Sequence, residues 1–509
     1  MVQGTIRAVY QKNKTVLSTF VGSLFVFTAL YGGLLRRSFN ADTITYMVYA
    51  KDDADVRIRA GRYLIALFDV IFHKLGIKTT DFMPIGIFLS MVILAITVVI
   101  LTDVFGKFFS SNNVVSMIGF SLALGLGFYN VLFTEYFMFT EVTFFYTLGF
   151  LIAAVGVKMF VNSGKGKIIA YSLFILAACT YQYTVVFAAI VMAFYYALLN
   201  DFKWNKKAVT DEILGCALPM STGIICMISI KIVGQIYPDL ASMKPYSDES
   251  IKDKLGDVIG SIGMFLKDSY SLLPGRFVPG IVLLVSLCVC MYLLIKTKGI
   301  QGVLFFVTVL LGSLVLMLVI PMLGAGFNFP PRMSFCLYLI QGLIFISIMS
   351  LLGGSDGILS ANARESLLKV ITYLVMGYVW IQMLGCSFIT SGRYVSNTLD
   401  KNYSQIILKE IEKYEEKTGI TVTKLGTCTD AYAPAFYEES RVHYGQINER
   451  VIGQATRTLI EAMWGRRFEG VDGVPSDVYE EYFAGKNWDY FDVNEQLVIV
   501  DDTAYLCVY

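Results

Sequence analysis

The stretch LSTFVGSLFVFTALYGGLL (17–35), followed by NADTITYMVYAKDDADVRIRAGR (40–62), decides what kind of fold this chain adopts. The first part is apolar and long enough to cross the hydrocarbon core of a bilayer as one helix. The second part crowds carboxylates and guanidinium groups directly after that helix. Acids and arginines at the end of a span predict that the protein handles a charged group at the membrane surface, and their combination suits a phosphate next to lipid.

The composition of the whole chain agrees with a membrane protein. Of its 509 residues, 56% are hydrophobic and only 16% are charged, and the mean hydropathy is +0.62, well above that of soluble domains. The net charge of +1 argues against a general affinity for nucleic acid, which needs a concentrated basic surface. The nine cysteines show no metal-ligand spacing, and Cys428 and Cys507 in the polar tail could pair.

The chain contains about eleven apolar segments that are candidates for transmembrane helices. With the N-terminus in the cytoplasm, the short loops that carry Lys and Arg all fall on the cytoplasmic side, as the positive-inside rule prefers. The fold class predicted from this pattern is an α-helical polytopic membrane domain over 1–388. The segments are 16–35, 82–103, 112–130, 138–160, 168–181, 182–199, 210–233, 277–295, 301–320, 333–352 and 367–387.

An outer loop with an interfacial helix is predicted over 36–81. The apolar segment 63–75 is too short to span the bilayer, and Arg62, Asp69 and His73 recur on one stripe of it, as expected of a helix that lies in the membrane interface. Asp69 and His73 could equally be an i,i+4 pair that only solvates that face. His73 is therefore not assigned a catalytic role.

From about Thr390 the composition changes to that of a small mixed α/β domain, predicted over 389–509 and on the extracytoplasmic side. A helical pattern over 403–417 is followed by a strand pattern at 420–425, a second helix at 446–464 and two strands at 497–500 and 504–508.

Other polar residues are predicted to lie on the same outer side as the charged loop. Glu135 and Glu141 stand between two apolar segments, where an acid either caps a helix or lines a cavity; the cap is preferred for Glu141. Tyr181 and Gln182 join two further segments. Arg332 enters a late helix, where it needs an anionic partner unless it only snorkels to the headgroups.

Several short motifs, taken in order, resemble the bacterial glucosyl transferase II family of O-antigen-modifying enzymes, within the GT-C superfamily. The resemblance implies a GT-C-like fold in the bacterial inner membrane and transfer of a sugar, by family usage glucose, from a polyprenyl-phosphate donor to a cell-surface glycan, with inversion at the anomeric carbon. The motifs are Asn40-x-Asp42, Gly61-Arg62-Tyr63 before a short helix, Tyr181-Gln182, Pro331-Arg332 and Asp400-Lys-Asn-Tyr-Ser-Gln-Ile-Ile.

The family position of the catalytic base falls on Asp42. The family commonly has two adjacent acids there, whereas this chain has Asp42-Thr43, so that Asp52, Asp53 and Asp55 remain rivals for the role. The same three acids could instead bind a divalent cation such as Mg²⁺ or Mn²⁺, or form a solvated loop.

The chemistry of such a transfer suits the residues at hand. A carboxylate must take the proton of the acceptor hydroxyl, and arginines suit the departing phosphate. The phosphate candidates are Arg57, Arg59, Arg62 and Arg332, and the candidate sugar or acceptor contacts are Glu135, Tyr181 and Gln182.

Three other functions compete with transfer. A membrane-anchored structural protein would leave the outer charges solvated and tolerant of change. A membrane polysaccharide polymerase also places cations in outer loops, and the loop 233–276 is the candidate region here. A lipid-linked sugar flippase or transporter should bury charges along the midplane and show two related halves, and the sequence shows neither.

Overall fold

The computed structural model describes residues 2–49, 53–111, 113–162, 166–237, 251–323, 330–353, 360–429, 450–486, 488 and 491–508. Within these ranges the chain is mostly helical, with one small sheet near the C-terminus. The helices are α1 (Val2–Tyr31), α2 (Ala41–Val48), α3 (Asp53–Arg59), α4 (Tyr63–Lys74), α5 (Met83–Phe105), α6 (Val114–Gly125), α7 (Thr134–Met138), α8 (Thr143–Asn162), α9 (Gly166–Ala178), α10 (Tyr183–Leu199), α11 (Lys206–Ile236), α12 (Ile251–Asp268), α13 (Val278–Leu323), α14 (Pro331–Ser334), α15 (Cys336–Gly353), α16 (Ala361–Thr418), α17 (Val451–Trp464), α18 (Ser476–Tyr482) and α19 (Val493–Gln496).

The apolar helices confirm a membrane protein. Among the described residues, seven helices are long and apolar enough to cross a bilayer, namely those that contain 15–35, 79–108, 143–162, 206–236, 278–322, 331–353 and 361–418. α6, α9 and α10 are apolar but shorter. Each of the eleven predicted segments overlaps one of these helices, because α13 breaks at Gly299 (φ 70°, ψ −170°) and accounts for two of them. The number of crossings, eleven, stays a prediction.

Basic residues gather at the end of the bundle opposite to the charged stretch of residues 40–62. There Lys158 on α8 pairs with Asp103 on α5 at 2.8 Å. Lys298, next to the break in α13, pairs with Asp201 after α10. These ion pairs connect the ends of helices that are far apart in the sequence.

α16 joins the membrane part to the C-terminal domain without a break. The change of composition near Thr390 predicts a domain boundary at 389, but the helix runs on from the apolar segment to Thr418 and ends at Gly419, which adopts φ 70° as helix C-termini favour. Hydrophobic residues continue at helical spacing across this point, so Ile389, Ile407 and Ile411 are all buried.

The C-terminal sheet has the order β2-β1-β4-β3. β1 is parallel to β2 and β4, whereas β3 and β4 form an antiparallel hairpin. The predicted strands at the C-terminus are close to those observed, and the strand predicted at 420–425 begins later, at Lys424. Cys428 and Cys507 are register partners on neighbouring strands. The strands are β1 (Lys424–Thr429), β2 (Glu469–Gly470), β3 (Leu497–Val500) and β4 (Thr503–Val508).

Part of the N-terminal loop belongs to the core of the C-terminal domain. Phe39 and Ile44 pack in one apolar cluster with residues of α16, α17 and the sheet. Asn397 on α16 binds both backbone groups of Phe39, since its Oδ1 accepts from the N–H at 3.0 Å and its Nδ2 donates to the carbonyl at 2.9 Å. The segment that leads to Asp42 is therefore fixed by a helix more than 350 residues later in the chain.

A buried ion pair fastens α17 to α16. Asp400 and Arg450 have side chains that are 0% and 2% exposed, and the carboxylate accepts from Arg450 Nε at 2.7 Å. Its second oxygen accepts from the N–H of Val451, the first residue of α17, at 2.8 Å. A negative charge at this position also favours the helix dipole.

We expect Asp400→Asn to destabilise the C-terminal domain. Removing one charge of a buried pair leaves the other uncompensated, which costs about 3 kcal/mol or more. The measurement is thermal unfolding of the detergent-purified protein, followed by tryptophan fluorescence from Trp464 and Trp488. The control is Asp477→Asn, at an exposed position; equal midpoints for the two variants would contradict the role given to the pair.

Candidate active site

The segment with Asp42 forms a short helix held by an internal cap. Asn40 is fully buried, and its Oδ1 accepts from the backbone N–H of Thr43 at 2.7 Å. Asn favours this N-cap position because it satisfies a free donor of the first turn. Thr43 Oγ1 lies 2.7 Å from the same Asn40 oxygen and 2.8 Å from Glu141 Oε2. Asp42, between them, is exposed on the first turn of α2.

A buried arginine lies beside this helix. Arg57 on α3 is 3% exposed, and its guanidinium group lies 3.7 Å from Asp69 and 3.8 Å from Glu141. The ring of Tyr46 on α2 covers the guanidinium carbon at 4.3 Å. Four separate elements thus meet at one cation, and we call Tyr46, Arg57, Asp69 and Glu141 the Arg57 cluster.

The sequence predicts that Asp69 lies on an exposed polar stripe of the interfacial helix, and this prediction is wrong for Asp69. α4 forms nearly where expected, and His73 near its end is exposed. Asp69 is instead buried against Arg57, since the turn between α3 and α4 folds the two helices together. Burial raises the pKa of Asp69 to about 6, although Arg57 opposes that rise.

Glu141, which its position before α8 predicts to be a helix cap, contacts residues of two other helices. Its side chain is buried, contacts Thr43 and pairs with Arg57. Burial raises the pKa of Glu141, while the charge of Arg57 acts to lower it. Its carboxylate therefore connects α2 to α3 through polar contacts.

The turn between α3 and α4 is shaped by Gly61 and Gln182. Gly61 adopts φ 69°, a backbone conformation that favours glycine, and a Cβ there would lie 2.6 Å from Ile230 Cδ1. Gln182 Nε2 donates to the carbonyl of Ala60 at 2.9 Å. Gln182, predicted as a sugar contact, thus holds the turn that connects Arg57 on α3 to Arg62.

Arg332 has the anionic partner that the sequence analysis requires. Its backbone N–H donates to one oxygen of Glu135 at 2.7 Å and its Nη1 to the other at 2.5 Å. Glu135 is fully buried and the Arg332 side chain is 22% exposed, so the snorkelling alternative is wrong. The guanidinium carbon also lies 5.3 Å from the ring centroid of Phe139.

Aromatic rings connect the two arginine groups. The guanidinium carbon of Arg62 lies 5.3 Å from the ring centroid of Tyr146 and 5.5 Å from that of Tyr181. These two rings lie 5.1 Å apart. Tyr146 is also within electrostatic range of Arg57 and Arg332. The side chains predicted from scattered motifs to lie together are therefore neighbours.

Two of these arginines keep buried nitrogens available for further hydrogen bonds. Nε and Nη2 of Arg57 and Nε of Arg62 donate no hydrogen bond within the described ranges. Each is surrounded by carboxylates at ion-pair distance or by ring faces, neither of which saturates a guanidinium fork. An anion with several oxygens would complete these bonds.

The remaining candidates lie in or near α3. Arg59 is partly buried and Asp55 is exposed on this helix. Asp52 lies outside the described residues, and of Asp53 only the backbone is described, so the metal hypothesis for this acidic run stays untested. Elsewhere in the described ranges, no group of three His, Cys, Asp or Glu side chains is placed to hold a metal ion.

Sequence reasoning missed three members of the site: Thr43, Tyr46 and Tyr146. Thr43 and Tyr46 are spaced three residues apart within α2, and a helical reading of 41–48 would have placed them on one face. Tyr146 lies inside an apolar span rich in aromatics, and nothing local distinguishes it from a core residue.

The comparison with known families agrees with this geometry. No curated protein and no solved structure matches the chain. The family model for glucosyl transferase GtrII matches residues 31–350, a range that begins at the end of α1 and includes the Arg57 cluster, Glu135, Tyr181 and Arg332. With its apolar helices and this match, the chain is a membrane protein that belongs to the glucosyl transferase GtrII family.

Proposed function

We propose that this glucosyltransferase moves glucose from a polyprenyl-phosphate donor to a cell-surface glycan, with Asp42 as the general base. The observation that carries the proposal is the contrast among the carboxylates next to Arg57. Glu141 and Asp69 are buried and face the arginine, whereas Asp42 is exposed beside them. An acceptor sugar from the aqueous phase can reach Asp42 without displacing an ion pair.

The donor phosphate would bind to the arginines on α3, in the turn after it and at the start of α14. Arg57 and Arg62 supply buried N–H groups without partners among the described residues, and Arg59 and Arg332 add positive charge. Bidentate arginine contacts stabilise a phosphate as negative charge develops on it. The lipid chain of the donor would then lie among the apolar helices.

The glucose would lie against the aromatic rings. Tyr181 and Tyr146 form a platform under Arg62, and ring faces suit the apolar side of a sugar. Gln182 and Glu135 already bind Ala60 and Arg332, which favours a role in positioning these groups around the sugar.

The reaction would proceed as one displacement with inversion. The acceptor hydroxyl oxygen forms a bond to the anomeric carbon while the bond from that carbon to the phosphate oxygen breaks. The hydroxyl proton passes to the carboxylate of Asp42, and the electron pair leaves with the polyprenyl phosphate, which the arginines stabilise.

We expect Asp42→Asn to lower glucosyl transfer by about 100-fold or more, the usual scale for loss of a general base. The amide keeps the size of the side chain but does not accept the proton. The measurement is the initial rate of transfer from polyprenyl-phosphate glucose to isolated glycan, with donor binding measured separately and expected to survive.

The variant Asp55→Asn tests whether Asp55, the other exposed acid of this region, is the base instead of Asp42. Asp477→Asn, far from the site in sequence, is the control. Both should keep most of the activity. Loss of activity in Asp55→Asn with a normal rate in Asp42→Asn would move the base to α3, and normal rates in both would refute a base in this loop.

We expect Arg62→Lys and Arg332→Lys each to reduce activity by about tenfold, because a lysine ammonium does not reproduce the bidentate fork of arginine. Both variants should show weaker binding of the donor in addition to a slower turnover. Arg276→Lys, at an exposed position before α13, is the matched control. Full activity of both site variants would remove these residues from the phosphate site.

We expect the C-terminal domain to be extracytoplasmic in the bacterial inner membrane. The lysine-bearing ends of the helices should face the cytoplasm, and α16 leads away from that side. A C-terminal alkaline phosphatase fusion should be active and a C-terminal green fluorescent protein fusion dark, with the reverse result for fusions placed after Ser360. A fluorescent C-terminal fusion would contradict both the topology and an outer active site.

A further inference from the structure

A second cationic site lies next to the active-site loop, in a cavity between the membrane part and the C-terminal domain. The cavity has a volume of about 460 Å³ and is lined by Gly33 and Leu34 after α1, the segment Arg36–Phe39, α16 from Thr390 to Asn402, and the end of α17. Of the Arg57 cluster, no member lines it. It is therefore distinct from the proposed donor phosphate site.

The charged residues that line this cavity are all positive. Arg36, Arg37, Arg393 and Lys401 line it, and no acid is found among its described lining residues. Arg393 is only 1% exposed, and Asp400, a carboxylate within its electrostatic range, also pairs with Arg450. Cations gathered around one cavity repel one another, so binding of an anion among them would be favourable.

The position of the cavity relative to the apolar spans indicates which anion would bind there. On α16 it begins at Thr390, just after the apolar segment 367–387, and near the N-terminus it is lined by Gly33 and Leu34, at the end of the first apolar span, which runs to Leu35. Leu35 and Phe388 present exposed apolar side chains at the same level. Cations just beyond the hydrocarbon core lie at the depth of lipid headgroups.

An aromatic ring also marks this boundary. The guanidinium carbon of Arg36 lies 5.0 Å from the ring centroid of Tyr394, whose side chain is itself exposed. Tyrosine is enriched where the bilayer meets water. The site therefore combines a phosphate-binding group with a side chain suited to the membrane interface.

We propose that this cavity binds the phosphate of one membrane lipid and thereby stabilises the segment that leads to the active site. Arg36 and Arg37 precede Phe39 by three and two residues, and the backbone of Phe39 is held by Asn397, a residue that also lines the cavity. Asn40, the cap of α2, follows directly. A bound phosphate would link Arg36 and Arg37 to α16 and so hold Asp42 in place.

The test measures lipid retention by the intact protein. Wild type and the double variant Arg36→Gln with Lys401→Gln are placed in phosphatidylcholine nanodiscs that contain phosphatidylglycerol, and bound lipids are counted by native mass spectrometry after release. Removal of two cations should lower retention of one lipid by about tenfold or more. All four substituted or control positions, Arg36, Lys401, Lys409 and Lys417, are exposed, so the variants should fold.

The control is Lys409→Gln with Lys417→Gln, which removes two positive charges from α16 away from the cavity. It should retain the lipid as wild type does. Equal retention in all three proteins, or equal loss in both double variants, would overturn the site.

A second arm identifies the source of the phosphate. Polyprenyl phosphate is titrated into nanodiscs of phosphatidylcholine alone, and separately into nanodiscs with phosphatidylglycerol. Displacement of phosphatidylglycerol from the wild type but not from the double variant would assign the cavity to a polyprenyl lipid. Retained phosphatidylglycerol would assign it to bilayer phospholipid. Because the measurement is lipid binding, its outcome does not depend on whether Asp42 is the base.

Discussion

The buried charge of Arg57 is the constraint on which the active-site end depends. A guanidinium group that is 3% exposed next to an apolar bundle must be compensated, because an isolated buried charge is costly. Asp69 and Glu141 supply two carboxylates and Tyr46 supplies a ring face. These partners come from α2, α4 and the turn before α8. Because one buried cation must contact all three, it fixes how the segment 40–74 packs on the bundle.

The C-terminal domain contributes to the same arrangement from the other side. α16 continues from the membrane into this domain, and Asn397 binds both backbone groups of Phe39. Phe39 and Ile44 also enter the apolar core of the domain. The segment 36–48 is therefore held between a buried ion cluster and an apolar core, which explains how an exposed residue such as Asp42 can keep a defined position.

The carboxylates and cations at this end divide into groups with different environments. Glu135, Glu141 and Asp69 are buried and face arginines, whereas Asp42 faces water. The cavity lined by Arg36 and its neighbours instead has cations and no acid among its described lining residues. The carboxylates that face arginines are shielded from water, whereas the carboxylate of Asp42 is open to a solute from the aqueous phase.

The sequence by itself determined the membrane class, the apolar helices, the small α/β domain and the group of residues at one end, because hydrophobic length and periodicity are local properties of the chain. The entry of Arg332 into a late helix also indicated an anionic partner, with snorkelling to the headgroups as the alternative. Only the tertiary structure decided that this partner is Glu135, that Asp69 turns inward to Arg57, that Gln182 supports a turn, and that α16 passes through the predicted domain boundary. Each of these depends on contacts between residues far apart in sequence, and no local pattern specifies which distant charge a buried group will find.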